Sequence, residues 1–174
     1  IAEHGMEQLA RDARITTLYE GTTGIQAMDL VGRKTASSRG AGLKLFLAEV
    51  EALCAAHEGD AEFADAIATL RAKCAEWSGL TSGMLQAAAG NPDELGAAAW
   101  DYLFYSGYVV LAYWWLRAAI TARGSSRPAA FKEAKRETAR FYFARILPRT
   151  LAHAEAIRSG AAPVMALEAD SFGA

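Results

Sequence analysis

Asn91-Pro92-Asp93-Glu94-Leu95-Gly96-Ala97-Ala98-Ala99-Trp100-Asp101-Tyr102-Leu103-Phe104-Tyr105-Ser106-Gly107-Tyr108-Val109-Val110-Leu111-Ala112-Tyr113-Trp114-Trp115-Leu116 joins a helix start to the densest aromatic content of the chain. Asn91 can cap, Pro92 suits the first helical position because its missing N–H would be unpaired there, and the two acids favour the positive end of the dipole. The helix that follows carries Trp100, Leu103, Phe104, Tyr108, Leu111, Trp114 and Trp115, and is expected to sit centrally. Trp100, Leu111 and Trp114, with Phe141 further on, are expected to be largely buried. The fifteen residues from Tyr102 to Leu116 are uncharged, but fall short of the ~20 that a membrane-spanning helix needs. They also contain Tyr, Ser and Gly, so a buried helix is expected rather than a membrane span.

The same helical periodicity recurs on either side, and no strand alternation appears. Upstream, Leu43, Phe46, Leu47, Val50, Leu53, Cys54 and His57 repeat at three and four. Phe63, Ile67, Leu70, Cys74, Trp77 and Leu80 form a second stripe, with Met84 and Leu85 beyond it, and Gly59-Asp60 separates the two. Downstream, Gly124-Ser125-Ser126 and Pro128 open a last long helix with Phe131, Thr138, Phe141, Tyr142 and Ile146. Pro148 should kink it and Ser159-Gly160 should end it. Two shorter helical pieces, about 3–13 and 23–35, flank residues 16–22, and 35–42 is the clearest linker. The fold class expected is therefore all-α: an antiparallel four-helix bundle preceded by two short helical segments. The expected units are 1–36, 41–160 and a tail, 161–174, that is extended or mobile.

Composition narrows the function classes. The 174 residues are 52% apolar and carry a net charge of −2, with a pI near 6.0. That suits one well-buried domain and gives no general attraction for nucleic acid. Lys132, Arg136 and Arg140 fall four apart within a basic stretch from Arg123 to Arg149. No aromatic residue interleaves with that stripe, so it reads as a solvated face or subunit contact. Cys54 and Cys74 have no CxxC spacing and read as a reduced pair. His4, His57 and His153 are scattered, with no metal expected; His57 reads as a helix-terminal residue. The chain opens on Ile1 without a signal-like segment, which suggests processing or a piece of a longer protein.

Chemistry concentrates in Arg11-Asp12-Ala13-Arg14-Ile15-Thr16-Thr17-Leu18-Tyr19-Glu20-Gly21-Thr22-Thr23-Gly24-Ile25-Gln26. Glu20 falls in a polar connection between two helical pieces, where a carboxylate can face a cleft. Gly21 lets another molecule approach the backbone closely. Thr22 is placed to cap the next helix.

This run resembles the RDARI-xx-(I/L)YEGT-xx-IQ signature of flavin-dependent acyl-CoA dehydrogenases. The resemblance implies that Glu20 is the base that removes the α-proton of an acyl-CoA thioester. Its backbone N–H, with a flavin ribityl hydroxyl, would hold the thioester carbonyl, and the β-hydrogen would leave as hydride to FAD, giving the trans-2-enoyl-CoA. Gly21 corresponds to a residue lying along the substrate, and Thr22 to a flavin contact. Gly24 stands where many relatives carry a polar side chain, so a flavin contact there would come from backbone. Ordinary members end soon after YEGT. The longer chain here resembles a branch with an appended, acetyl-CoA-dehydrogenase-like helical domain, including enzymes resembling methylmercaptopropionyl-CoA dehydrogenase.

By the same resemblance, 1–36 is the end of the dehydrogenase helical domain and 41–160 the appended one. Partners implied are acyl-CoA, an electron-transfer flavoprotein as acceptor and further copies of the chain, in a cytoplasmic setting with no nucleic acid. The fragment alone is expected to hold no FAD and to be inactive. Two alternatives stay open: an acyl-CoA oxidase, and a non-catalytic helical interaction module with a relic motif.

Overall fold

The computed structural model describes residues 5–19 and 21–173. All regular structure among them is helical, as expected. The elements are α1 (Glu7–Tyr19), α2 (Thr23–Met28, widened into a π-helical run over Asp29–Ala36), α3 (Ala41–Ala56), α4 (Ala64–Ala88), α5 (Asp93–Gly124), α6 (Ala129–Phe141), α7 (Thr150–Ser159) and α8 (Ala162–Met165). Helices α3, α4, α5 and the α6–α7 pair form the antiparallel bundle. Helix α5 is its axis and packs against α2, α4, α6 and α7.

At the start of α5, Pro92 stands as the N-cap rather than as the first helical residue, and Asn91 just before it supplies a side-chain acceptor. Asn91 Oδ1 accepts the Asp93 N–H at 3.1 Å, satisfying one of the first-turn donors. The stripes on α3 and α4 also face inward: Val50 and Cys54 are buried, as are Phe63, Ile67, Leu70, Trp77, Leu80 and Met84. Both cysteines are free, and burial pushes the Cys74 thiol up to about 12, which keeps it protonated and inert.

The buried face of α5 is not the one expected. Trp100, Leu111, Trp114 and Phe141 are 49%, 49%, 50% and 58% exposed. The inward face is instead Tyr102, Tyr105, Val109, Ala112, Tyr113, Leu116 and Ala119. Both faces repeat at three and four, so periodicity alone could not choose between them. Packing chooses through small residues and polar handles. Alanines 98, 99, 112 and 119 let neighbouring helices approach, and each buried tyrosine finds a partner at the core's rim. Tyr102 Oη pairs with Thr81 Oγ1 at 2.8 Å, Tyr113 donates to Glu49 at 2.6 Å, and Tyr105 donates to Glu76 at 2.8 Å. Trp77 is the aromatic hub, with Phe46, Tyr102 and Tyr105 at 6.0, 6.3 and 6.5 Å.

Glu76 ties three helices together. It accepts from Lys73 on its own helix, from Tyr105 on α5 and from Arg158 on α7 at 2.7 Å. Burial alone would raise its carboxyl, but these three hydrogen bonds outweigh it and hold it at about 2.

Four boundaries differ from the sequence expectation. Helix α1 runs on through Tyr19, because Thr16 and Thr17 turn their hydroxyls back onto Ala13 and Arg14 carbonyls and so fit within a helix; the expected start at residue 3 lies outside the described residues. The expected linker 35–42 is a tight turn. Gly40 takes φ +75° and donates its N–H to the Thr35 carbonyl at 2.9 Å, and Ser38 Oγ donates to the Lys34 carbonyl at 2.6 Å. Glycine and serine therefore close one helix and start the next, with Thr35 itself buried. At Pro148 the helix passes into a 3-10 turn, Leu147–Arg149, preceded by a π-helical run, Tyr142–Ile146, in which Leu147 N–H reaches the Tyr142 carbonyl five residues back. That register change absorbs the ring that a regular helix would reject. The tail holds short helical turns, Ala162–Met165 and Ala169–Gly173, and begins at the fully buried Ala161.

Gly160 stops α7 at φ +69° and ψ −166°. A Cβ there would lie 2.9 Å from Glu94 Oε2, the atom that accepts the Ala161 N–H at 3.0 Å. Gly160→Ala is expected to cost about 1–3 kcal/mol through backbone strain and loss of this clasp. The drop would be read as a lower thermal midpoint; an unchanged midpoint would refute the clasp.

Candidate active-site segment

The described part of the segment is a helix, a short connection and a second helix. Glu20, the expected catalytic base, lies outside the described residues. On one side of it α1 ends at Tyr19; on the other, Gly21 takes φ +99°, a left-handed conformation that favours glycine. Thr22 is the N-cap of α2, as expected: its backbone is extended, its Oγ1 accepts the Ile25 N–H at 3.4 Å, and its carbonyl accepts the Gln26 N–H at 3.0 Å. Gly21, Thr22, Thr23 and Gly24 are all exposed, and space beside Gly24 is open where a side chain would stand.

The two flanking helices are held very differently. In α2 and its continuation, Ala27 and Val31 are essentially fully buried and Thr35 nearly so, against the bundle. Helix α1 buries none of its residues: Leu9, Ile15, Leu18 and Tyr19 are all about half to two-thirds open. One end of the connection is thus fixed to α5 while the other carries an uncovered apolar face.

Electrostatics close to the segment come from Asp29, Arg33 and Lys34. Arg33 donates to Asp29 and, despite partial burial, this hydrogen bond holds the carboxyl below its ordinary value, with Lys34 at 3.4 Å assisting.

The basic stretch behaves mainly as a solvated ion-pair surface: Arg136 pairs with Glu133, Glu137 and Glu62, and Arg123 pairs with Asp60 and Glu62. The rings nearby engage residues outside the Lys132, Arg136 and Arg140 stripe: Arg127 and Lys135 lie over Phe131 at 4.8 and 5.4 Å, and Lys135 also approaches Trp115. His57 is the terminal residue of α3, as expected.

One pair has no signature in the sequence. His153 Nδ1 lies 2.7 Å from Asp101 Oδ1, and its ring stacks on Phe104 and Tyr108. Fifty-two positions separate these residues, and nothing but the fold brings them together.

This segment is thus docked on the longest helix of an all-helical bundle. The chain belongs to the acetyl-CoA dehydrogenase C-terminal-like family, whose model matches residues 46–168. It is similar to a butyryl-CoA dehydrogenase of Syntrophomonas wolfei, 29% identical over 155 residues, covering 85% of this chain and 25% of the relative. It is also similar to a 3-methylmercaptopropionyl-CoA dehydrogenase of Ruegeria pomeroyi, 31% identical over 156 residues, covering 84% and 26%. A broad-specificity linear acyl-CoA dehydrogenase of Mycobacterium tuberculosis is 26% identical over 184 residues, covering 99% and 30%. The chain thus spans only between a quarter and a third of the length of these relatives. Among the described residues, no helix is long and apolar enough to cross a membrane.

Proposed function

We propose that the chain is the C-terminal part of an FAD-dependent acyl-CoA dehydrogenase that converts acyl-CoA thioesters to trans-2-enoyl-CoA, with Glu20 as the base. The observation that carries this reading is the Arg11–Gln26 run, which lies at an open helix–connection–helix junction capped by Thr22 and docked through α2.

Thr22 and Gly24 fit one wall of a flavin site. The Thr22 hydroxyl oxygen accepts from Ile25 and keeps its own proton free to donate, while Gly24 offers bare backbone in open space. When bound, the flavin supplies the hydride acceptor. This chain contributes the base and one wall of the site. Glu20 takes the α-proton as its carboxylate. The Glu20 backbone N–H binds the thioester oxygen, and Gly21 lets the acyl chain pass close to the backbone. An electron-transfer flavoprotein in the cytoplasm is the proposed electron acceptor.

Because Thr22 and Gly24 form only one wall, the 174-residue chain alone should show no saturable FAD binding when flavin fluorescence is followed through a micromolar titration. Saturable micromolar binding would show that the flavin site lies within these residues, and would overturn the reading of the chain as one part of a larger site.

A further inference from the structure

Between the C-terminal part of α5 and the start of α6 lies a solvent-open cleft of about 380 Å³, within the size range of small-molecule sites. Trp114 and Phe131 give it flat apolar walls. Arg117, Arg127 and Lys135 supply every charge among its lining residues, and none of those residues is acidic.

Cations nearby are neutralised within the chain: Arg123 by Asp60 and Glu62, Arg136 by Glu62, Glu133 and Glu137, and Arg140 by Glu137. Those of the cleft are not. Among the described residues, Arg127 and Lys135 have no carboxylate at ion-pair distance; their contacts are with the Phe131 ring at 4.8 and 5.4 Å. Sharing one ring holds the two charges within about 10 Å of each other, one screening length at ordinary ionic strength, so they repel. Lys135 is half-buried, with Trp115 on its other side, and ring faces attract an ammonium without filling its three N–H donors. Arg117, over Trp114 at 5.1 Å, is the third cation, and its partner Glu49 stands outside the cleft. Thr121 adds a hydroxyl with no hydrogen-bond partner among the described residues.

We propose that this cleft binds a phosphate monoester carried on a flat ring, the chemistry of a nucleoside monophosphate. An apolar protein surface laid over the cleft would bury three charges without counter-charge, so the occupant has to bring negative charge with it. A phosphate monoester brings close to two charges at neutral pH and three terminal oxygens. Those oxygens take the donors of Lys135 and Thr121, and the guanidinium forks of Arg127 and Arg117 match them in pairs. The ring lies along the open side of Trp114, which is half-exposed. FAD has only internal phosphate diesters and lacks the terminal dianion, so this cleft is separate from the flavin wall at Thr22 and Gly24.

Calorimetric titration of the 174-residue chain with adenosine monophosphate (AMP) at low ionic strength should show saturable binding to one site. It should be about 10-fold tighter than binding of either inorganic phosphate or adenosine, because each of these supplies only part of the contacts. Lys135→Gln keeps the stem against Phe131 and removes the charge. It should weaken AMP binding by about 10-fold, the effect of one charge-assisted hydrogen bond. Lys132→Gln removes an equal charge one turn away, outside the cleft, and should leave the affinity unchanged. Helical circular dichroism should be unchanged in both variants. No saturable binding up to about 1 mM AMP would overturn the proposal. Equal losses in the two variants would also overturn it, since general charge attraction would then explain the binding. Inorganic phosphate bound as tightly as AMP would overturn the role of the ring, and adenosine bound as tightly would overturn that of the cations. None of these outcomes depends on whether Glu20 is catalytic.

Discussion

Replacing Glu20 with glutamine, in a longer protein that carries the rest of the proposed active site, should lower acyl-CoA turnover by several orders of magnitude while flavin remains bound. Glutamine keeps the size and the backbone N–H of Glu20 but cannot accept the α-proton. The loss should therefore fall on kcat and kcat/KM together, with substrate binding little changed. General-base catalysis contributes about 10²–10⁴-fold on its own. Charge developing on the thioester without proton removal has nowhere to go, so the upper part of that range is expected. Single-turnover flavin reduction by acyl-CoA is the direct measurement. Reduction within a few-fold of the parent enzyme would remove Glu20 from the base role and favour the relic-motif reading. Normal reduction followed by hydrogen peroxide formation would instead favour an oxidase.

The second large effect concerns stability. Glu76→Gln should destabilise the bundle by about 1–3 kcal/mol at neutral pH, because it leaves the largely buried Lys73 without its counter-charge and the exposed Arg158 with Glu155 alone. The pH dependence has a definite sign. The folded-state carboxyl is held at about 2, below its ordinary value, so its contribution is fully present above about pH 5 and is lost as pH falls toward 2. The gap in thermal midpoint between the parent chain and Glu76→Gln should therefore narrow steadily through that window. A gap independent of pH would mean that the side chain's shape matters, and its charge does not.

Much of the architecture was legible in the residues. Asn91-Pro92, Gly124-Ser125-Ser126 with Pro128, and Ser159-Gly160 mark real helix ends, because caps and breakers act locally and need no knowledge of neighbours. The stripe on α4 faced inward as expected because that helix has one apolar side. Helix α5 has two, and hydrophobicity could not rank Trp100 and Trp114 against Tyr102, Tyr105 and Tyr113. The deciding facts were non-local: a hydroxyl partner for each tyrosine on α3 or α4, and alanines matched to an approaching helix. The same holds for Glu76 and for the His153–Asp101 pair, whose meaning exists only once three helices meet. At the candidate site, the capping role of Thr22 was legible, since it follows from local backbone geometry; the left-handed conformation of Gly21 emerged only with the structure. That 35–42 would be a tight, partly buried turn could not be read either, because Gly and Ser serve equally well in flexible linkers and in helix closures.

The unequal anchoring of α1 and α2 bears on how a substrate could enter. A hinged flap needs a weakly packed element on a free pivot. The stretch from Thr23 to Ala36 offers neither: Ala27, Val31 and Thr35 are locked against the bundle, and the turn at Gly40 is tied back to Thr35. Helix α1 buries nothing and meets the connection at its far end. Any opening and closing around Gly21 and Thr22 is therefore one-sided. In the proposed enzyme the α2 side would be the fixed jamb, and the exposed apolar face of α1 is the side left for another element to cover.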